Sequence, residues 1–304
     1  MKSDGLPVVY AGTPGTELLD LRAWVGLYDA AVAIERVPTY IRQIRFNFDR
    51  YGLGALPHWV VRQRIEDFLA LKGEEAEQVF DGIPAWPCLV NYDPFDNPLP
   101  MNARTFPRDR GLWASLKSFL QFSPPSFKGG LLLATCNVRG PGSIYDSAIH
   151  GICEEARQHT ADVTQDYETR LVASPMARKI QLCLPHWLRR YATTHTGFQL
   201  ELLDSIAYPG TERATMVHLV MSLVRTDRPE SPIEPSVLRL LNFPHEILRP
   251  MAGGGWSRTT DAEPVVRRGM SAGGQATPSA SLASPPPTGN SKSVPAPTGG
   301  VTGP

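Results

Sequence analysis

Apolar residues recur at helical spacing through most of the first 82 residues. Over residues 13–37 a threonine cap and a first-turn proline precede leucines and a tryptophan at a period near 3.6, which predicts a helix. The same pattern predicts an amphipathic helix with a cationic face over 39–50 and further helices over 57–71 and 74–80. The amino-terminal part of the chain therefore reads as a succession of helices.

The remaining pattern predicts more helix and one buried strand. Residues 82–108 are rich in proline and predict an irregular excursion. A leucine-rich run over 129–138, which begins with two glycines, predicts a strand or the middle of a buried hairpin. The other predicted elements are helices over 109–122, 143–164, 167–184 with an interruption near Pro175, 211–226 with Thr211 as its cap, and 235–242. The predicted fold is mostly α, a single helical domain with few short strands.

The carboxyl-terminal segment has a different composition. Residues 251–304 consist mainly of Gly, Pro, Ala, Ser and Thr, and from residue 273 onward they contain no aromatic or acidic residue. So little apolar surface cannot offset a backbone ordering cost of roughly 1–2 kcal/mol per residue. The sequence therefore predicts a folded, mainly helical domain over 1–250, with a possible subdivision near 82–108, and a disordered tail over 251–304.

Charge is balanced overall but segregated along the chain. The formal net charge is zero, and of the 30 basic residues 24 are Arg. Six Arg and a single acid occupy 36–64, six basic residues and a single acid occupy 104–139, and five basic residues without an acid occupy 170–190. Arginine binds phosphate bidentately and stacks on flat groups. The clusters therefore favour a surface that contacts nucleic acid rather than an electrostatically neutral surface.

Aromatic residues lie beside these basic clusters, as in proteins that contact phosphates and bases without reading sequence. Tyr40, Phe46 and Tyr51 accompany the first cluster, and Trp187 and Tyr191 accompany the last. The alternative interpretation is a solvated cationic helix face above core aromatics. The candidate RNA-binding residues are Arg42, Arg45, Arg50, Arg62, Arg64, Arg108, Arg110, Arg178, Lys179, Arg189 and Arg190.

Two Cys/His pairs with two-residue gaps resemble half-sites for zinc. His150 and Cys153 form one pair, and Cys183 and His186 form the other. Both stand in apolar or helical text without a glycine-rich knuckle, so satisfied core residues are the preferred interpretation and no metal is expected. The four cysteines form no dense framework, which suits reduced thiols.

No set of residues in the sequence meets the requirements of catalysis. The run 11–15, Ala-Gly-Thr-Pro-Gly after an apolar stretch, imitates a strand that leads through a glycine turn into a helix, a geometry that can bind phosphate. It lacks the lysine and glycine spacing of a phosphate loop, and a helix cap explains it. The sequence predicts no enzyme, no cofactor, no small-molecule substrate and no membrane span.

In size, layout and tail the chain resembles the proline-alanine-serine-rich proteins of polymycoviruses, which are fungal double-stranded RNA viruses. The tail text PSASLASPPPTGNSKSVPAPTGG carries this likeness, together with the amino-terminal text GLPVVYAGTPGTELLDLR. The resemblance implies a virion-associated protein in the cytoplasm of a fungal host, where it coats the genome in a capsid-like role.

The function predicted from the sequence is thus non-specific binding and coating of double-stranded RNA through the arginine clusters, with self-association into oligomers or filaments. The alternative is a non-enzymatic scaffold whose folded domain binds a protein and whose tail serves as a flexible linker. An enzyme with an unrecognised active site is the third possibility.

Overall fold

A computed structural model describes residues 5–93, 112–138, 142–209, 215–226, 236–251 and 255–260. Its central feature is a nine-stranded sheet with the order β3-β2-β1-β4-β5-β7-β6-β8-β9. The strands are β1 Val9–Gly12, β2 Ala30–Ile34, β3 His58–Val61, β4 Leu89–Tyr92, β5 Gly129–Asn137, β6 Phe198–Pro209, β7 Thr215–Arg225, β8 Glu246–Pro250 and β9 Trp256–Thr260. The helices are α1 Leu19–Ala23, α2 Pro38–Arg50, α3 Ile65–Leu69, α4 Gly73–Phe80, α5 Leu112–Gln121, α6 Gly142–Arg157, α7 Gln165–Val172, α8 Met176–Thr196 and α9 Ser236–Leu241.

The first five strands form a parallel sheet with helices on both faces. β1 pairs in parallel with β2 and β4, β2 with β3, and β4 with β5. Strands buried on both faces read as continuous apolar runs, and β2 shows this in its sequence AAVAI, every residue of which is buried. One face packs against residues of α1 and α2, such as Leu21 and Phe48, and the other against α3, α5, α6 and α8.

The sheet continues as an antiparallel ribbon beyond β5. β7 pairs antiparallel with β5 and with β6, which has a bulge between Leu202 and Asp204. Along β7 the buried residues alternate with more exposed ones, so Val217, Leu219, Met221 and Leu223 face the helices. β8 and β9 extend this edge as a short hairpin paired to β6.

The prediction of a mostly α fold is wrong, because the chain forms a mixed α/β sheet. Three predicted helices fail for one reason, which is that their apolar residues pair with distant strands. Residues 13–37 contain only the short α1 and then β2, residues 57–71 contain β3 and then α3, and residues 211–226 contain β7. Helical spacing and a buried apolar run are hard to separate within a short window.

Other elements match their predictions. The structure confirms the amphipathic helix at α2, the acidic helix at α4, the strand at β5 and the short helix at α9. β9 lies beyond residue 250, the predicted end of the folded domain. Residues 261–304 lie outside the described residues, so the disorder predicted there stays a prediction, as does a subdivision near 82–108. Within the described part of the chain, no helix combines the length and apolarity needed to cross a membrane.

Candidate ligand-binding site at the carboxyl edge of the sheet

The strand order reverses at β1. The chain passes from β1 outward through β2 to β3, then returns to add β4 on the other side of β1. In open parallel sheets, the crevice outside the carboxyl ends of the two strands at such a reversal is the usual ligand site. Here Gly12 at the end of β1 lies beside Asn91 near the end of β4.

Gly12 allows the two strand ends to pack closely. A Cβ atom at this position would lie 2.5 Å from Tyr10 Oη and 2.8 Å from the backbone oxygen of Asn91. The next residue, Thr13, donates a hydrogen bond from Oγ1 to the backbone oxygen of Asp93 at 3.1 Å. The β1 turn is therefore tied directly to the end of β4.

Asp20 of α1 brings a carboxylate over this junction. Its Oδ2 atom accepts hydrogen bonds from Tyr10 Oη at 3.5 Å and from Asn91 Nδ2. Burial raises the pKa of Asp20 despite these two donors. Asn91 is 4% exposed, and its Oδ1 atom is buried without a hydrogen-bond partner in the described structure. This orphaned acceptor is a position that a ligand N–H or O–H group can satisfy.

Asp93 follows β4 and provides a second carboxyl beside the first. The residue as a whole is exposed, but its carboxyl lies among protein atoms, and desolvation together with the charge of Asp20 raises its pKa to about 6. A carboxyl with this pKa exchanges protons near neutral pH, as a general acid or base must. The charge of Asp20 raises the pKa of Asp93, and the charge of His218 lowers the pKa of Asp20, whereas no described Arg or Lys contributes to either shift.

β7 contributes His218 to the same edge of the sheet. Its register places it beside Thr135 of β5, and Thr135 Oγ1 lies 2.9 Å from His218 Nδ1. Burial lowers the pKa of His218, while the charges of Asp204 and Asp20 act in the opposite direction. The imidazole is thus largely neutral at pH 7 and can accept or donate a proton.

Glu35 stands immediately after β2, the next strand along the edge. Its Oε1 atom accepts a 2.7 Å hydrogen bond from the backbone N–H of Val37, which fixes the carboxylate at the strand end. In dinucleotide-binding sheets an acid about 20 residues after the glycine turn accepts a hydrogen bond from a ribose hydroxyl. Glu35 lies 23 positions after Gly12 and occupies that place.

The turn after β1 does not form a phosphate cradle. Phosphate sites of this type use free backbone N–H groups at the start of a long helix. Here Pro14 has no N–H, Leu18 adopts a left-handed conformation with φ 51°, and α1 is only five residues long. Together with the carboxylates of Asp20 and Asp93, this arrangement disfavours phosphate and favours a ligand with positive charge.

The arginines predicted to bind RNA do not form one surface. Arg42, Arg45 and Arg50 are exposed on α2, and Arg62 and Arg64 are exposed after β3. The remaining described residues lie on α8, where Arg178 and Lys179 are buried and Arg190 is exposed. Lys179 Nζ lies 2.6 Å from Asp146 Oδ1, and Arg189 Nη2 donates to Glu155 Oε1 at 3.1 Å. Arg108 and Arg110 lie outside the described residues.

The four Cys and His residues considered for zinc have other neighbours. His150 Nδ1 contacts Glu168, and Cys183 Sγ donates to the backbone oxygen of Tyr145 at 3.7 Å. His186 Nε2 lies 3.8 Å from Glu155, and burial lowers the His186 pKa to about 4. Burial raises the pKa of Cys153 to about 12, which disfavours the thiolate form that binds metal. Among the described residues, no group of three or more His, Cys, Asp or Glu side chains is placed to hold a metal ion.

Sequence reasoning missed the polar residues of the crevice, which are Asp20, Glu35, Asn91, Asp93 and His218. The signal for three of them was their place at the ends of short apolar runs, in the texts AAVAIE and LVNYD. Because the pattern over 13–37 predicts a helix, it does not identify Glu35 as the end of a strand. His218 depends on long-range pairing of β7 with β5, which no local pattern reveals.

Comparisons with known proteins give similarity to solved structures only. No family model and no curated protein matches the chain. Trm1 from Pyrococcus horikoshii with S-adenosyl-L-methionine is 11% identical with a TM-score of 0.40, and 84% of this chain is covered. A SAM-dependent methyltransferase from Agrobacterium tumefaciens is 12% identical with a TM-score of 0.39 and 74% coverage. TYW2 from P. horikoshii in complex with MeSAdo is 11% identical with a TM-score of 0.39 and 73% coverage. The matched region spans 58% of each of these three structures.

These findings correct the identity and function expected from the sequence. The resemblance to polymycovirus proteins is wrong, since no family model and no curated protein matches the chain and the solved structures similar to it include a SAM-dependent methyltransferase and no viral protein among the three named. The predictions of a non-enzymatic double-stranded RNA coat, of a scaffold, and of no small-molecule substrate are also wrong. Within this molecule the physical reason is the fold, because a sheet of reversing strand order forms a crevice with titratable groups, whereas the arginines are dispersed.

Proposed function

We propose that this protein is a transferase that binds a cationic, adenosine-containing methyl donor of the S-adenosylmethionine type in the crevice between β1 and β4. The observation that carries the proposal is the pair of carboxyls, Asp20 and Asp93, at the point of strand reversal. Burial raises the pKa of both carboxyls, and the negative charge of Asp20 raises the pKa of Asp93 further. A bound cation relieves that repulsion, whereas a phosphate increases it.

The residues of the crevice fit such a ligand in three respects. Glu35 is placed to accept hydrogen bonds from ribose hydroxyls at the end of β2. The unpaired Oδ1 of Asn91 is a buried acceptor for an N–H or O–H group. The short α1 and Pro14 leave no phosphate cradle, which suits a nucleoside without a diphosphate. When bound, a ligand of this type supplies an electrophilic methyl group.

The chain itself supplies charge and proton transfer. Tyr10 and Asn91 hold the Asp20 carboxylate through hydrogen bonds, so it faces the bound cation without reorganisation. With its pKa of about 6, Asp93 is mostly ionised at pH 7 and accepts the proton that a neutral nitrogen or oxygen nucleophile loses. His218, paired with Thr135, is a second proton acceptor at the same edge.

Isothermal titration calorimetry with the purified full chain tests this proposal. S-adenosylmethionine is expected to bind, and AMP, which carries a phosphate in place of the cationic group, is expected not to bind. Glu35→Gln should weaken binding about tenfold or more, because hydrogen bonds to a charged group contribute about 1.5–3 kcal/mol. Asp93→Asn should weaken S-adenosylmethionine more than S-adenosylhomocysteine, which lacks the sulfonium charge.

The control is Glu74→Gln, which removes one exposed acid on α4 and should leave binding unchanged. Equal binding of AMP and S-adenosylmethionine, or equal loss in Glu74→Gln and Glu35→Gln, would show that the crevice does not select the ligand by these carboxylates. Absence of any binding by both S-adenosylmethionine and S-adenosylhomocysteine contradicts the proposal outright.

A further inference from the structure

A second cavity lies on the helical face of the sheet, away from the crevice. It has a volume of about 200 Å³ and lies between α8, α9 and β6. Its apolar walls come from Pro185, Leu200, Leu202, Leu240 and Phe243. The register pairs Leu200 with Leu223, which is itself paired with Gly130 near the start of β5. The cavity thus lies level with the amino end of β5, whereas the crevice lies at the carboxyl end.

Two arginines line this cavity with unused donors. Arg189 Nη2 bonds Glu155 Oε1 at 3.1 Å, and Arg239 Nη1 bonds Glu201 Oε1 at 2.5 Å. The Nε atoms of both arginines are buried and have no hydrogen-bond partner in the described structure. A buried donor left unpaired costs roughly 1–3 kcal/mol, so two such donors beside one cavity require an explanation.

The existing acidic partners do not occupy these donors. The Glu201 side chain is 55% exposed and that of Arg239 is 36% exposed, so their pair is a surface salt bridge that stabilises little. Arg189 is more deeply placed, with 14% of its side chain exposed. Burial, with smaller effects from the charges of Arg239 and Arg190, lowers the pKa of Arg189. Glu155 opposes this shift, and a further negative charge would oppose it more.

We propose that this cavity binds a small organic carboxylate, with its apolar body against the leucines and Phe243 and its carboxylate on the Nε–H groups of Arg189 and Arg239. The walls select an apolar body, since five of the lining residues carry no charge. A cavity of 150 Å³ accepts benzene, so 200 Å³ corresponds to a ligand of roughly benzoate size. The site is independent of the proposed methyl-donor crevice, because no residue is shared.

The test is calorimetric titration of the full chain with benzoate and with benzamide, which has the same shape without the charge. Benzoate is expected to bind and benzamide to bind at least tenfold more weakly, because charge-assisted hydrogen bonds to arginine are the stronger kind. Arg239→Lys, which keeps the charge but removes the Nε–H donor, should weaken benzoate about tenfold. Arg45→Gln on α2 is the matched control and should change nothing.

Leu202→Trp is a second variant that leaves both arginines in place and fills the cavity. It should abolish benzoate binding. This variant still tests the proposal if the arginine variant fails to fold. Equal binding of benzamide, unchanged binding in Leu202→Trp, or no binding of benzoate up to its solubility limit overturns the proposal. The proposal would also be overturned if inorganic phosphate bound as tightly as benzoate and Leu202→Trp left phosphate binding unchanged. That result would indicate an arginine surface that binds any anion.

Discussion

The parallel and the antiparallel halves of the sheet bury their residues differently. Strands β1 to β5 have helices on both faces, and β2 has no exposed position. In β6 and β7 one face packs against the helices while the other remains half-open, and Leu203 and Val224 are each 50% exposed. The proposed crevice belongs to the parallel half, where reversal of strand order brings strand ends together, and the antiparallel half supplies His218 at its border.

The two halves therefore differ in how their residues contribute to stability and to the proposed binding site. Residues on the covered face of the antiparallel half pack in the same core as α8, whereas Val224 on its open face is half exposed. The parallel half additionally holds carboxyls in unfavourable environments, which is how binding sites retain reactive groups at a cost in stability. The following substitutions test the comparison, from the largest expected effect to the smallest.

Two substitutions on β7 compare its covered and open faces. Leu219 is fully buried, so Leu219→Ala should lower the free energy of unfolding by about 2–5 kcal/mol. Val224→Ala, on a side chain that is half exposed, should lower it by less than about 1 kcal/mol. Urea denaturation followed by circular dichroism measures both. Equal losses would mean that the two faces are buried alike.

A substitution at Gly12, compared with one at Gly151 as a control, tests the close packing at the strand reversal. Gly12→Ala places a methyl group against Tyr10 Oη and the Asn91 backbone, so it should destabilise the protein by roughly 1–3 kcal/mol. Gly151→Ala, inside α6 with no atom near the added methyl group, should instead stabilise by about 0.5–1 kcal/mol. Thermal unfolding distinguishes them, and a neutral Gly12→Ala would indicate that the strand ends do not pack as described.

The pH dependence of cation binding sharpens the assignment of Asp93. A cationic ligand prefers the ionised carboxyl, so its affinity should be full above the pKa of about 6 and should fall as pH decreases through that value. The expected loss between pH 7.5 and pH 5 is about tenfold, measured by calorimetry. Asp93→Asn should flatten this profile, and an unchanged profile in the variant would assign the dependence to another group.

The smallest effect concerns Asp20. Its pKa is raised in the folded state, so the folded protein binds more protons than the unfolded chain above the ordinary carboxyl pKa, and its stability contribution decreases as pH rises through the raised pKa. Asp20→Asn should therefore stabilise the protein more at pH 7 than at pH 4. Guanidinium denaturation at the two pH values measures this, and stabilisation at pH 4 alone contradicts the sign.

The sequence predicts correctly the elements whose local pattern fits a single type of secondary structure. α2 shows its amphipathic period and α4 its acidic first turn, and the leucine run after Gly129 and Gly130 indicates β5. The pattern of β7 predicts a helix because closely spaced valine, leucine and methionine residues fit both the helical and the strand period. Pairing with β5 and β6 decides between the two. The crevice could not be predicted for the same reason. Glu35 and Asn91 are recognised as site residues only when β2 and β4 are known to flank β1.

A crystal structure of the full chain grown with S-adenosylhomocysteine tests the central claim most directly. The account predicts the ligand at the carboxyl ends of β1 and β4, with its ribose hydroxyls on Glu35 and a polar group on the Oδ1 atom of Asn91. Ligand bound elsewhere on the molecule, or an empty crevice in crystals grown with the ligand at saturation, would contradict it.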